Sequence, residues 1–244
     1  MAYRPDPDLE FLQHVENYDL DILVKYLTTD KDGSTRLTEE LTIAERYKKY
    51  SPNHQKYWDL IAAELQCFGG NTLVTIFRGG KGVFYREILM DVCDHMKVRY
   101  DKKASVEKIE LSLLFSLIQK SLNEMSEEEL EVVVKELDLD LLNRKNLNAA
   151  AVAAAIQALI NSSGFAAYKM ALIVANAVSK FILGQGIKFG SNIVITRTLS
   201  IFAGPIGWIF TGLWTLIDIA GPAYRVTIPS VIQVAYLRLQ NKNI

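Results

Sequence analysis

The sequence predicts an all-α protein, a multi-helix bundle whose amphipathic N-terminal helices shelter an apolar, glycine-rich C-terminal helical region. Three observations carry this reading. Apolar residues recur at spacings of three and four through the first half of the chain, with cap residues before them and glycines after them. Half of the 244 residues are apolar, enough to bury a sizeable core. Charge is divided along the chain: residues 1–145 carry 20 Lys and Arg against 27 Asp and Glu, whereas residues 146–244 carry 7 against 1. Two regions follow, an acidic amphipathic one (1–145) and a weakly basic apolar one (146–244), packed together as one unit.

The elements of the acidic region can be read in order. In "DPDLEFLQHV", Asp6 offers a cap and Pro7 a first helical residue, and "YDLDILVKYLT" then sets Leu20, Leu23, Val24 and Leu27 on one face. "TDKDGSTRLT", with Gly33, reads as a turn. "SPNHQKYWDLIAAELQCFGG" restarts at Ser51 and Pro52, runs a stripe of Tyr57, Leu60, Ile61, Leu65 with Glu64 interrupting it, and stops at Gly69 and Gly70. "NTLVTIF" (71–77) reads as a strand by its β-branched content or as a short helix capped by Asn71; the neighbouring helices favour the helix. "FYREILMDVCDHM" is helical by the spacing of Ile88, Leu89, Val92 and Met96. "SVEKIELSLLFSLIQKSLNEM" follows, and Ser126 with Glu129 forms a capping box opening "EEELEVVVKELDLDLL". No period of 20 to 50 residues recurs, which argues against a solenoid.

Beyond residue 145 alanine, isoleucine and small residues take over, and no acid appears until Asp218. Helices of this kind are apolar nearly all round, so they are enclosed by other helices or exposed to lipid. "TLSIFAGPIGWIFTGLWTLI" (198–217) holds no charge and has about the length that crosses a bilayer. Pro205 favours a helix that starts there, and 16 residues to Ala220 span about 24 Å, short of the ~30 Å hydrocarbon core. Lys169, Lys180, Lys188 and Arg197 interrupt the run upstream, each costly at mid-bilayer. Gly186 and Gly190 make a GxxxG spacing that lets helices pack closely, and Asp218 is expected to pair with Arg225 or Arg197.

Signatures of catalysis are missing. His14, His54 and His95 fall on separate elements, and no metal-ligand spacing joins them, so neither a metal nor a cofactor is expected. "GGKG" (79–82) fails the phosphate-loop pattern at Thr75 and Gly82. Cys67 and Cys93 read as reduced packing residues, and the N-terminus lacks the pattern of a secretory signal, which points to the cytoplasm. In "RGGKGVFYR", Arg78, Lys81 and Arg86 stand among three glycines, a candidate anion or lipid-headgroup loop, although a plain helix connection is the simpler reading. Nucleic acid is disfavoured by the acidity of that half.

Arg197, Trp208, Phe210 and Trp214 are the candidates for membrane contact, because tryptophan suits the interface and Arg meets anionic headgroups.

The segments "DPDLEFLQHVENYDLDILVKYLTTDKDGSTRLTEEL", "HQKYWDLIAAELQCFGGNTLVTIFRGGKGVFYREILMDVC" and "GPAYRVTIPSVIQVAYLR" resemble the YaaW-like family of bacterial proteins over essentially the whole chain. That family is grouped by similarity with ubiquinol-cytochrome c chaperones, and members have been linked to defence against nucleus-forming jumbo phages. The resemblance implies a non-enzymatic antiphage sensor that recognises a lipid surface, such as the phage early-infection vesicle, and recruits a second defence protein as effector. Its alternatives are an assembly chaperone for a membrane protein complex and a pore former. Peripheral or conditional membrane association is expected, and a homo-oligomer is compatible with the sequence.

Overall fold

The computed structural model describes residues 2–29, 36, 40–69, 82–139, 147–187, 196–220 and 223–243; for residues 69, 196, 214–220 and 243 it describes the helical backbone alone. Among these residues there are ten α-helices, two short 3₁₀ helices (Glu10–His14 and His54–Tyr57) and no β-strand. The helices are α1 (Asn17–Thr28), α2 (Glu45–Tyr50), α3 (Trp58–Gly69), α4 (Tyr85–His95), α5 (Val106–Leu122), α6 (Glu127–Glu136), α7 (Ala149–Ser162), α8 (Gly164–Leu183), α9 (Thr196–Ala220) and α10 (Tyr224–Asn243).

Local chemistry explains most of them. Helix α1 buries Leu20, Leu23, Val24 and Leu27, and α4 buries Ile88, Leu89 and Val92, the stripes expected from spacing. Ser105 caps α5 by accepting from the Lys108 N–H. At α6 the capping box is complete: the Ser126 N–H donates to Glu129 Oε2 at 2.9 Å, and Ser126 Oγ accepts from the Glu129 N–H at 3.3 Å. Asn148 and Ser163 cap α7 and α8 in the same manner. Gly184, at φ +69°, ends α8 in the left-handed region while its N–H donates to the Lys180 carbonyl.

The alanine-rich passage divides into α7 and α8, and α8 is enclosed by protein: every residue from 170 to 179 is buried, packed chiefly against α9 and α10. Among the described residues α8 is the one helix long and apolar enough to cross a membrane. Ala171, Ala175 and Ala177 are among its fully enclosed residues. Helix α10 is the axis of the bundle. Every residue from 226 to 238 is buried, and α1, α3, α4, α5 and α8 all pack on it. Helices of both charge regions thus share one hydrophobic cluster.

Several expectations are corrected. The principal one is Pro205: α9 runs through it for 25 residues, roughly 37 Å, instead of starting there. The residue before a proline usually avoids helical dihedrals because its Cβ meets the proline ring. Here that residue is Gly204, which has no Cβ and is exposed. Asp6 and Pro7 open a turn rather than a helix; Asp6 Oδ1 accepts from the Asp8 N–H, and the 3₁₀ helix begins at Glu10. Ser51 and Pro52, joined by a cis peptide, likewise form a turn before the 3₁₀ helix at His54. Glu64, the polar residue that interrupts the stripe of α3, is buried with it. The expectations for the Gly33 turn, for 71–77 and for Gly190 lie outside the described residues, and so does the Asp218 side chain on which the expected pair depends.

Candidate functional site

Helix α9 carries the most exposed large apolar side chain among the described residues. Its N-terminus is fixed by an acid from another helix: Glu136 Oε2, at the end of α6, accepts from the N–H and Oγ1 of Thr198 at 2.8 and 2.5 Å. An anionic acceptor at a helix N-terminus is favoured by the helix dipole. Below that cap Leu199, Phe202, Ile206 and Phe210 point inward at spacings of three and four, and Phe210 meets Phe181 of α8 with ring centroids 5.9 Å apart. The opposite face, Arg197, Ser200, Gly204, Trp208, Thr211 and Gly212, is exposed. Trp208 is 74 % exposed and stands among small residues.

Trp208 also lines a surface depression of about 640 Å³, together with Ser200, Ile201, Gly204, Pro205, Glu124 and Glu129. Its lining therefore carries two acids and no base. Arg197 stands eleven positions before Trp208 on the same exposed face, about 16 Å along the axis.

Arg197 and Trp208 share the exposed face of α9 without meeting, and Phe210 belongs to the core side of the same helix. Trp214 lies where only the helical backbone is described. Arg78 and Lys81 lie outside the described residues. Arg86 is engaged structurally: its Nη2 donates to the carbonyls of Lys102 and Ala104 at 2.6 and 2.8 Å, tying α4 to the turn before α5. Gly82, from the same loop, serves close packing, because a Cβ there would stand 2.3 Å from the Gln66 carbonyl carbon. The stripe Leu199, Phe202, Ile206, Phe210 was the sequence signal that sorts Phe210 inward from Trp208 outward.

A buried polar cluster was not anticipated. Glu110 of α5 and Arg238 of α10 pair, Nε to Oε2 at 2.9 Å and Nη2 to Oε1 at 3.2 Å. The Tyr85 hydroxyl donates to Glu110 Oε1 at 2.7 Å, and Arg238 Nη2 donates to the Asp8 carbonyl at 2.6 Å. The guanidinium also sits 4.5 Å from the Phe11 ring centroid. Burial pushes the Glu110 carboxyl up, while Arg238 and then Tyr85 pull it back. With every charge paired, the cluster is built to hold four segments together. The histidines remain apart: His54 bonds Tyr57, and His95 stacks on Tyr224 at 3.9 Å. Among the described residues no group of three His, Cys, Asp or Glu side chains is placed to hold a metal ion.

Comparison with known proteins gives the lineage. A UPF0174 protein of Helicobacter pylori strain J99 is 48 % identical over 242 residues, covering 99 % of this chain and 94 % of its own. The chain belongs to the UPF0174 family. A UPF0174 protein from a second Helicobacter pylori strain is 38 % identical over 84 % of this chain and 99 % of its own. The UPF0174 protein YaaW of Escherichia coli K12 is 33 % identical over 97 % of this chain and 95 % of its own. Residues 53–232 match the ubiquinol-cytochrome C chaperone family, to which this UPF0174 chain therefore also belongs, and residues 3–37 match a domain of unknown function, DUF3944. No solved structure matches.

Proposed function

We propose that this UPF0174 protein is a non-enzymatic recognition protein that docks on a lipid surface through the outward face of α9 and recruits a second protein. Within the setting implied by the YaaW-like resemblance, the surface is the vesicle of an early jumbo-phage infection and the second protein is a defence effector. The observation that carries the reading is Trp208, 74 % exposed among small residues on a face that also carries Arg197. A tryptophan held in water on a rigid helix exposes apolar area that an interfacial membrane layer would cover. The acids Glu124 and Glu129 beside Trp208 limit how anionic that surface can be.

Co-sedimentation with liposomes tests it. Trp208→Glu is expected to remove vesicle binding while leaving the helical circular dichroism unchanged, because its side chain makes little contact with the core. A folded variant that binds as well as the wild type sinks the assignment. The second reading, an assembly chaperone for a membrane protein complex, is favoured by the chaperone-family match over residues 53–232. Purification from uninfected cells separates the two, since a chaperone brings down a host membrane-complex subunit and a phage sensor does not.

A further inference from the structure

One stretch of the acidic region is strongly basic. The segment between α4 and α5 carries Lys97, Arg99, Lys102 and Lys103 against a single acid, Asp101. All four bases are exposed, and Val98 is buried between the first two, which turns Lys97 and Arg99 outward. Both ends of the segment are pinned. Arg86 Nη2, at the start of α4, donates to the carbonyls of Lys102 and Ala104, and Lys120 Nζ, near the end of α5, donates to the Met96 carbonyl at 3.1 Å. The stretch of α4 between those pins makes the basic strip about 15 Å long by helical rise. Lys97, Arg99, Lys102, Lys103 and Lys120 make no ion pair among the described residues, whereas Lys25, Arg46 and Lys242 are each paired with an acid at the surface. Crowding is felt within the strip: partial burial, and then the charge of Lys97, lower the pKa of Lys120.

A complement stands on the same chain. Glu127, Glu128 and Glu131 share one exposed face of α6 by their spacing, and exposed Glu124 precedes them. None of these four acids makes an ion pair among the described residues, and Lys135 adds one base to the face a turn further on. The helix dipole favours acids in the first turn of α6, but it does not account for Glu131. The ten residues of α6 span about 15 Å, the length of the strip.

Other polyanions fit the strip less well. The exposed large apolar side chains among the described residues are Tyr18, Ile43, Phe165, Phe181 and Trp208, so the strip holds none to anchor in a bilayer. Asp94 and Asp101 stand within it, their Oδ1 atoms accepting from the Tyr100 hydroxyl and the Lys103 N–H, each at 2.9 Å. A nucleic-acid backbone, negative throughout, would be repelled there. A helix face that carries Lys135 among its acids matches that mixture of charge.

We infer that the basic strip along α4 docks on the acidic outer face of α6 of a second copy of this chain. The two patches follow one another through the turn at 123–126, so a two-fold arrangement makes both contacts at once and closes as a dimer. The contact uses neither Trp208 nor Arg197 and does not rest on the lipid reading.

Sedimentation equilibrium of the full chain tests it. Twice the chain mass is expected at about 0.1 M salt and the chain mass at about 1 M, as the screening length falls from ~10 Å to ~3 Å. Arg99→Glu/Lys103→Glu and Glu127→Lys/Glu131→Lys are each expected to weaken dimerisation at low salt by about tenfold or more, since like charges then face one another. Both pairs change exposed side chains, and circular dichroism is expected to show unchanged helix. Mixed in equal amounts, the two variants are expected to associate again, because each then meets the charge opposite to its own. A wild-type chain that stays monomeric at low salt overturns the proposal. A dimer indifferent to salt and to both reversals, or two folded variants that fail to associate when mixed, overturns it as well.

Discussion

Arg238 and Asp19 show what a single buried charge does when it is paired and when it is not. Arg238→Ala strands Glu110 in the core, and removing one member of a buried ion pair costs about 3–5 kcal/mol; chemical denaturation is expected to show a loss of that size. A double change that removes both charges and fills the space with apolar side chains is expected to recover most of it. Asp19 works in the opposite sense. Its pKa is about 6 in the folded chain against an ordinary 3.8, so between those values the folded state holds more protons than the unfolded one. Its contribution therefore makes stability fall as pH rises through that window and leaves it lower above. Asp19→Asn is expected to be more stable than the wild type at pH 7 to 8, with the difference closing below about pH 4 when thermal melts are compared across pH.

Helix ends are where the elements are most exposed to single changes. Gly184→Ala forces a side chain into the left-handed region at the end of α8 and is expected to cost about 1 kcal/mol. Ser126→Ala, which opens the capping box of α6, is expected to cost about as much by denaturant melt. These features were legible in the sequence because they are local: Ser126 and Glu129 are three residues apart, and the stripes of α1 and α4 follow from spacing within one helix. The polar residues of α10 were not legible, because their partners are remote. Arg238 meets Glu110 across 128 positions and the Asp8 carbonyl across 230. Nothing in "SVIQVAYLRLQ" distinguishes a buried arginine from a solvated one. The course of α9 was misread for a different reason. Proline argued locally for a break, and the neighbouring glycine, which removes the clash, reads as a second breaker until both are set in a helix capped by Glu136. The exposure of Trp208 was half legible, since the register of four inward residues sorts the faces, but the side on which other helices pack is a tertiary fact.

At the scale of the whole molecule, the chain encloses a long apolar helix, α8, and displays a tryptophan at its surface. Helix α8 is enclosed by α5, α7, α9 and α10, so docking by way of Trp208 requires no rearrangement of the core. Vesicles loaded with dye are accordingly expected to retain it at saturating protein, whereas leakage would point to insertion of the apolar helices and to the pore-forming alternative. The clamp at Arg238 has a further consequence for how the molecule comes into being. A ribosome delivers Asp8, Tyr85 and Glu110 long before it delivers Arg238, so during synthesis a carboxylate destined for the interior waits without its counter-charge. Closure of the cluster then waits for α10, which is set among segments already made. A nascent chain stalled ahead of residue 238 carries a defective centre, and cellular proteases are expected to degrade it in preference to the finished protein.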